Sequence, residues 1–531
     1  MRRTRARHRA TAVALFASSM IAAQAQVTSR ISVDSQGEQS NDWSDGPSLS
    51  KDGRQVAFFS NADHLVPGDS NGTLDVFVRD RMLGSTERVS VDSSGAQANG
   101  PSAYPCISSD GRFLSFTSWA SNLVAGDTNG VADVFVHDRV SGETTRASVD
   151  SQGQQSHGTG LLDRYVRSWL SADGRLVTFS SDAPDLVPGD GNAAMDIFVH
   201  DRATGETTRV SVSSQGAEGN GGSYYPAICA DGSVIGFSSD ATNLVPGDSN
   251  GKTDMFVHQR TTRETTRVSV SSHGKQGNDV SAYLPALSQD GRLVAFNSSA
   301  SNLVPHDNNR ATDEFVHDRA TGITTRVSVD SNGKQANGFC QDISMSGDGR
   351  LVAFTSNATN LAPDDNNDGE DCFVHDRVSG RTWRVSVSSA GEGANEDCYD
   401  ASISADGRMV AFRSEADNLV PGDTNDVLDV FLRGAELTLE ADATVVSEGQ
   451  PLKITIYKGV PEHAVALFAV ALDAAPSFAP IAAGKFGPNG NFALWGEVPH
   501  GLAGHSVTLR GYAFGRSDLV VDTNDLTLWF E

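Results

Sequence analysis

Hydrophobic positions along this chain come in short runs rich in Val, Phe, Ile and Thr. They alternate with polar positions or pack four in a row, and each run is closed by Gly, Asp, Asn or Pro. That is the signature of short β-strands joined by tight turns. The pattern also repeats. A unit of about sixty residues recurs seven times, anchored on Asp-Gly pairs beginning at Asp52, Asp110, Asp173, Asp231, Asp290, Asp348 and Asp406.

In its fullest form the unit reads S-x-DGR-LVAF-x-S-x-A-x-NLVPGD-x-NG-xx-DVFVHDR-xTG-xTTRVSV-x-S-x-G-x-Q-x-N and predicts four strands. The first ends on an apolar residue before Asp-Gly (Leu49, Ile107, Leu170, Ile228, Leu287, Met345, Ile403). A tight Asp-Gly turn leads to the second, typified by Leu293 to Phe296. The third is typified by Asp196 to His200, and the fourth, after a Thr-Gly turn, by Thr207 to Val212. A four-stranded sheet cannot bury both of its faces alone, and stacking seven sheets radially does so. The prediction is an all-β, seven-bladed propeller over residues 26–434.

Blade seven stops at Asp429 to Arg433 without a fourth strand, whereas Thr28 to Val33 reads TSRISV ahead of blade one. Thr28 to Val33 is therefore expected to pair with Asp429 to Arg433, so that the N-terminal strand closes the ring and removes an open edge.

The repeat at Ser288 to Ser298 and the strand at Asp133 to Asp138 resemble the TolB-like, WD40-like propeller repeat, over roughly residues 27–434. The resemblance implies the propeller fold. It implies little about function, because that repeat occurs in envelope proteins, peptidase propeller domains and many other secreted proteins. The chain differs from TolB itself in having seven units and no recognisable preceding TolB-type domain.

Both ends of the chain depart from the repeat. Arginines at 2, 3, 5, 7 and 9, an apolar stretch from Thr11 to Ala23 and the small-residue site Ala23-Gln24-Ala25 read as a secretory signal over residues 1–25, which predicts an extracellular or periplasmic protein. No later apolar run is long enough for a membrane span. Residues 435–531 alternate apolar and polar positions between Gly and Pro turns and predict a small β-sandwich of Ig-like size.

Without residues 1–25 the chain holds 36 basic against 67 acidic residues, a formal net charge of −31. Such a surface repels phosphate backbones and favours cations, so nucleic acid is not an expected partner.

The acid is patterned. Asp-x-Asn-x-x-x-Asp falls between the second and third strands of every unit: Asp69/Asn71/Asp75, Asp127/Asn129/Asp133, Asp190/Asn192/Asp196, Asp248/Asn250/Asp254, Asp307/Asn309/Asp313, Asp365/Asn367/Asp371 and Asp423/Asn425/Asp429. Two readings fit this motif. In one, the oxygens set on a tight turn bind calcium, as in the later part of a DxDxDGxxD loop. In the other, Asp and Asn cap the turn and the last Asp anchors a neighbouring strand. Unit six is the richest copy, and Asp364, Asn366 and Asp368 offer it a second calcium-like frame.

A residue present in every blade serves what every blade needs, and a single site should appear as a departure. The recurring His137, His200, His258, His317 and His375 therefore read as strand positions. Unit three carries about five extra residues, placing Asp163, Arg164, Tyr165, Arg167 and Trp169 at its entrance as a binding rim or a solvated loop. No GxSxG, HExxH, P-loop or CxxC motif is present.

Of the five cysteines, Cys340 and Cys398 occupy equivalent positions on adjacent blades and are expected to form a disulfide, leaving Cys106, Cys229 and Cys372 as small buried residues. The leading expectation is a non-catalytic binding scaffold for a protein or glycan ligand, with calcium as a stabilising ion. The alternative is a propeller-type polysaccharide hydrolase or lyase, marked by acids and aromatics converging on one or two blades. A structural envelope component is a third reading.

Overall fold

The computed structural model describes residues 26–158, 166–363, 365, 367 and 369–435, together with nine strands between Thr438 and Phe530. Seven four-stranded antiparallel sheets follow one another as the repeat predicts, and the described residues include no helix, hence none long and apolar enough to cross a membrane. Each blade's first strand packs beside that of the next, and the seventh beside the first, so seven first strands surround an axis. They are Ser44–Leu49, Ser102–Ile107, Ser168–Leu170, Ser223–Ile228, Ser281–Leu287, Cys340–Met345 and Cys398–Ile403.

Second and third strands are buried on both faces between neighbouring blades, as in Leu176–Ser181 and Asp196–Asp201, where every residue is buried. This explains why they read as apolar runs such as LVAF; period-two alternation appears instead in the fourth strands, as in Glu206–Arg209. Two in-register phenylalanines, Phe58 and Phe77 in blade one, stack across the second and third strands of every blade at 5.8–6.0 Å. Each pair adds about 0.5–1.5 kcal/mol beyond its burial.

At the Asp-Gly turn of blade one, Asp52 Oδ1 accepts from Ser50 Oγ at 2.9 Å and from the Arg54 amide at 3.0 Å. Gly53 sits at φ 66°, where a Cβ would meet Met409 Cγ at 2.6 Å, so glycine is required there. Beside these turns the backbone itself closes a circle. Lys51 N donates to Ser109 O and Ser109 N to Ala172 O. The chain of bonds continues through Ala230, Gln289, Gly347 and Ala405 until Asp406 N returns to Lys51 O, every bond being 2.8–3.1 Å. Seven backbones in mutual contact narrow the axial channel at this end.

Ring closure by the N-terminal strand holds in the expected register, with the strand beginning at Gln26 and ending at Arg30 rather than running from Thr28 to Val33. Gln26–Arg30 pairs antiparallel with Asp429–Ala435, with Thr28 opposite Arg433 and Arg30 opposite Phe431. The strand ends earlier than Val33 because Val33 is needed elsewhere. It bridges to Gln39, and its carbonyl receives the Thr86 hydroxyl of blade one. Each blade repeats that latch onto the preceding connection. In blade seven Thr28 makes it, donating to Val387 O at 2.6 Å, while buried Arg433 donates to Thr28 Oγ1 at 2.8 Å and to the carbonyls of Val387 and Ser388 at 3.1 and 3.0 Å.

The expected disulfide is corrected. Cys340 and Cys398 are free, buried thiols, each donating to a serine of its own blade's second strand, Ser356 and Ser414, at 3.3 Å. In blades one, two, four and five the equivalent position is serine, as in Ser102 with Ser118 at 2.8 Å. Equivalent residues on adjacent blades thus point into their own sheets rather than at one another. Cys229 and Cys372 are buried as expected, and Cys106 is partly buried.

The C-terminal region, expected as a sandwich, forms a three-stranded sheet (Thr438–Ala441, Pro451–Tyr457, Phe492–Glu497) and a six-stranded sheet built around Ser506–Phe514. The proposed signal, residues 1–25, lies outside the described residues.

Candidate functional site

Two acidic regions lie at one end of the blades, because Ser44 pairs with Ser60 and Ser60 with Asp75. One is the set of turns between second and third strands, and the other is the mouth of the axial channel opposite the backbone circle.

In the turns, the last Asp of each motif is completely buried. Asp75 accepts the Ser90 hydroxyl, Asn71 Nδ2 at 2.8 Å and Arg88 Nη1 at 3.3 Å. Arg88 Nη1 also reaches Asp69 at 3.0 Å, so one guanidinium sits between the motif's two carboxylates. The same geometry places Arg146 between Asp127 and Asp133, Arg209 between Asp190 and Asp196, and Arg267 between Asp248 and Asp254. It places Arg326 between Asp307 and Asp313 and Arg384 between Asp365 and Asp371. Arg30 of the N-terminal strand supplies it to blade seven, 2.9 Å from Asp423 and 3.6 Å from Asp429. Burial pushes the carboxyls of Asp75, Asp133, Asp196, Asp254 and Asp313 up, opposed chiefly by the serine hydroxyl each accepts. Each turn's two carboxylates therefore share one cation from within the chain, in blades one to six the arginine of the fourth strand.

The asparagines of the motif take the capping role. Asn71 Nδ2 donates to Ala98 O at 3.0 Å, tying the turn to the following connection. Asn129, Asn192, Asn250, Asn309, Asn367 and Asn425 make the same bond, to the carbonyls of Ser156, Gly219, Gly277, Ala336, Ala394 and Ser40 at 2.9–3.1 Å. In the first six blades the asparagine Oδ1 accepts the amide two residues on, at 2.8–3.4 Å. Asn71, Asn129, Asn192, Asn250, Asn309, Asn367 and Asn425, expected as calcium ligands or as turn caps, thus each hold their turn to the following connection. Six of the oxygens are committed to their own turns, and beside Asn425 the space between Asp423 and Asp429 is taken by Arg30.

Where a cation would sit between the paired carboxylates, an arginine already lies. Blade three differs because Glu218 stands where other blades have glutamine or, in blade six, Gly393. Oxygens of Asp190, Asp196 and Glu218 lie within 4.8 Å of one another, with Arg209 Nη1 at 2.7 Å from Glu218. Burial first, and then the Asp196 charge, push Asp190 up to about 6. This donor set fits calcium better than any other turn among the described residues. In blade six, Asp364, Asn366 and Asp368 lie outside the described residues.

The recurring histidines are strand positions. His137 Nδ1 pairs with Thr144 Oγ1 at 2.9 Å, as do the other four with their own threonines, and burial lowers the pKa of each. Of the blade-three departures, Asp163, Arg164 and Tyr165 lie outside the described residues, Trp169 is in the first strand, and Arg167 reaches the channel mouth.

That mouth is the region which reading the sequence unit by unit missed. A β-bulge interrupts the first strand in six blades, and the residue following the break projects from it. Blade one has Gly46 there, whereas Tyr104, Tyr225, Tyr283, Asp342 and Asp400 are held at φ 52–70°. Left-handed backbone costs a bulky L-residue about 1–2 kcal/mol, and such strain gathers at functional sites. The signal was available. Six residues before each Asp-Gly aspartate, or seven in unit five, the repeat reads Gly46, Tyr104, Arg167, Tyr225, Tyr283, Asp342 and Asp400, a column that varies while its surroundings repeat.

The column divides by chemistry around the ring. On blades two to five, the Arg167 guanidinium lies over the Tyr104 ring at 3.2 Å, and Tyr225 and Tyr283 stack at 6.1 Å with Tyr283 60% exposed. On blades six, seven and one, Arg413 pairs with Asp400 at 2.6 Å and Asp45 at 2.9 Å, and Asp342 accepts the Asp400 amide at 3.3 Å. Nearby, Glu370 accepts Gln341 Nε2 at 2.7 Å and Asp397 accepts the Tyr399 hydroxyl at 2.8 Å. Burial first, then the Asp400 charge, push Asp45 and Asp342 each up to about 7.

No family model and no curated protein matches this chain. Among solved structures it is similar to a putative TolB from Agrobacterium tumefaciens, at 16% identity over 54% of this chain and 80% of that one, with a TM-score of 0.32. It is also similar to the periplasmic gluconolactonase of Pseudomonas aeruginosa, at 16% identity over 80% and 95% of the two chains with a TM-score of 0.31, and to the WD40 repeats of RRP9, at 8% over 73% and 93% with a TM-score of 0.35. The chain is a seven-bladed β-propeller, whose departures from its own repeat gather at one end of the axial channel.

Proposed function

We propose that this protein is an exported, non-catalytic binding propeller whose axial mouth holds a glycan, with the C-terminal β-sheets as a spacer or second binding module. The observation that carries this reading is the broken symmetry of the mouth: tyrosine faces on blades two, four and five stand against carboxylates on blades six, seven and one. Aromatic faces suit the flat C–H faces of sugar rings, and carboxylates and Arg413 suit their hydroxyls. Calcium enters the proposal as a stabilising ion, at Asp190, Asp196 and Glu218 of blade three.

A polysaccharide hydrolase or lyase is the second reading, favoured by Asp45 and Asp342 holding protons near neutral pH beside Asp400. A glycan screen of the mature chain, followed by calorimetry and a product assay on the hits, separates the two. Binding without turnover, weakened by Tyr283→Ala, supports the binding reading. Product formation abolished by Asp342→Asn overturns it in favour of the enzyme, and glycan binding indifferent to Tyr283→Ala removes the mouth as its site.

A further inference from the structure

We propose that the glycan held at the axial mouth is an amino sugar with a free, protonated amine, its ring on Tyr225 and Tyr283 and its ammonium among the carboxylates of Asp342, Asp400 and Glu370. The inference rests on the glycan reading and adds its charge.

The first argument is the supply of countercharge. In the outer turns every pair of carboxylates has its own arginine, and the last aspartate of the pair also accepts a serine hydroxyl. At the mouth Arg413 is spent on Asp45 and Asp400. Asp342, Glu370 and Asp397 are left with neutral donors: the Asp400 amide, the Gln341 amide group, and the Glu370 amide with the Tyr399 hydroxyl. The other arginine at the mouth, Arg167, is committed to the tyrosine side, over Tyr104. The acids of the mouth thus carry more negative charge than its arginines match, and burial first, then the Asp400 charge, pushes Asp45 and Asp342 up to about 7.

A second argument lies behind the wall. Glu314 is fully buried where the other blades carry Val, Ile, Met or Cys. Its Oε1 accepts Asn297 Nδ2, which also donates to Cys340 O two residues before Asp342, while its Oε2 has no hydrogen-bond partner. A second layer of carboxyl thus stands behind the wall, bridged by Asn297 to the strand that bears Asp342, and burial pushes it up to about 8.

The third argument is the opposite wall. Arg167 over Tyr104 shows that these tyrosines accept a cation on their faces, and Tyr283 is the most exposed of the three. An ammonium attached to a flat ring satisfies both walls at once. A neutral sugar leaves the acids uncompensated, and a ring-free polyamine leaves the tyrosines unstacked. Binding an ammonium should displace the protons held by Asp45 and Asp342. The groups that set its pH dependence are those two with Asp400, Glu370, Asp397, Glu314, Tyr399, Arg413 and Arg167.

Calorimetry on the full mature chain at pH 6 and 8 tests this with glucosamine oligomers, their N-acetylated counterparts, cello-oligomers and spermidine. Glucosamine oligomers are expected to bind at least about tenfold more tightly than the acetylated ones, with proton release on binding. Asp342→Asn and Glu370→Gln should each erase most of that preference, and Tyr283→Ala should weaken every oligomer. Equal affinity for acetylated and free oligomers overturns the amine and leaves the glycan reading intact. No binding by any oligomer overturns both. Spermidine binding as tightly as the glucosamine oligomers, unaffected by Tyr283→Ala, replaces the sugar with a simple cation.

Discussion

The outer turns and the axial mouth are both acidic and both lie at the same end of the blades, yet they are built in opposite ways. In the turns the motif is repeated in every blade, each buried aspartate meets an arginine and a serine, joined outside blade six by an asparagine or glutamine, and every carboxylate pair has its own arginine. At the mouth the position changes from blade to blade, the backbone is held at positive φ by Tyr and Asp, and beyond the Asp45–Arg413–Asp400 set the acids Asp342, Glu370 and Asp397 meet neutral donors. Repetition marks what holds a blade together, and variation within a repeated frame marks what the ring presents to a ligand.

The largest expected effect is at the clasp, which completes the outer frame by supplying Arg30 to the last turn and Thr28 to the last latch. Deleting residues 26–30 should lower the melting temperature by more than about 10 °C, as an edge is exposed and Asp429 loses its arginine. An unchanged melt would show that the ring closes without it.

Next come paired substitutions in the two regions. Asp133→Ala strands Arg146, Ser148 and Asn129 in a buried site and should cost about 3–5 kcal/mol. Asp342→Asn at the mouth should leave the melting temperature at pH 8 unchanged or raised, because it removes charge that lacks compensation. Equal losses in both would erase the distinction.

Glu314 offers a smaller, pH-dependent readout. Burial pushes it from 4.5 up to about 8, so the folded state holds its proton more tightly than the unfolded chain does. Its stabilising contribution is complete below about pH 4.5 and is lost as pH rises toward 8. Glu314→Gln should therefore gain on the wild type progressively between pH 5 and 9 in thermal melts, and a constant difference would place an ionised carboxylate there throughout.

The smallest expected effect is calcium. Millimolar calcium should raise the melting temperature by a degree or two through blade three, and Glu218→Gln should abolish the shift. Failure of calcium to shift the wild type would leave the turn of blade three, like that of blade one, held by its arginine alone.

The number of blades, the four strands of each, the Asp-Gly turns and the use of the N-terminal strand to close the ring were all legible in the sequence. They are set by local alternation, turn chemistry and a repeat longer than any one strand. The end of the closing strand was not, because whether Val33 belongs to the strand or to the latch onto Thr86 depends on where blade one lies. Equivalence of Cys340 and Cys398 was visible, but the direction of each thiol, toward Ser356 and Ser414, follows from the packing of each sheet. The spacing of Asn192 or Asn309 from its aspartates was visible too. Which way the amide group turns is set by the carbonyl of the next connection, at Gly219 or Ala336, which lies beside it only in the folded blade.

The arginine of TTR meets its aspartates only once the fourth strand lies beside the third. The mouth is more remote still. Tyr104, Tyr225, Tyr283, Asp342 and Asp400 are separated by whole blades in the chain, and only closing seven sheets around an axis brings their side chains to one opening. Repetition along the chain determined the frame; the ring decided which of its irregularities would meet.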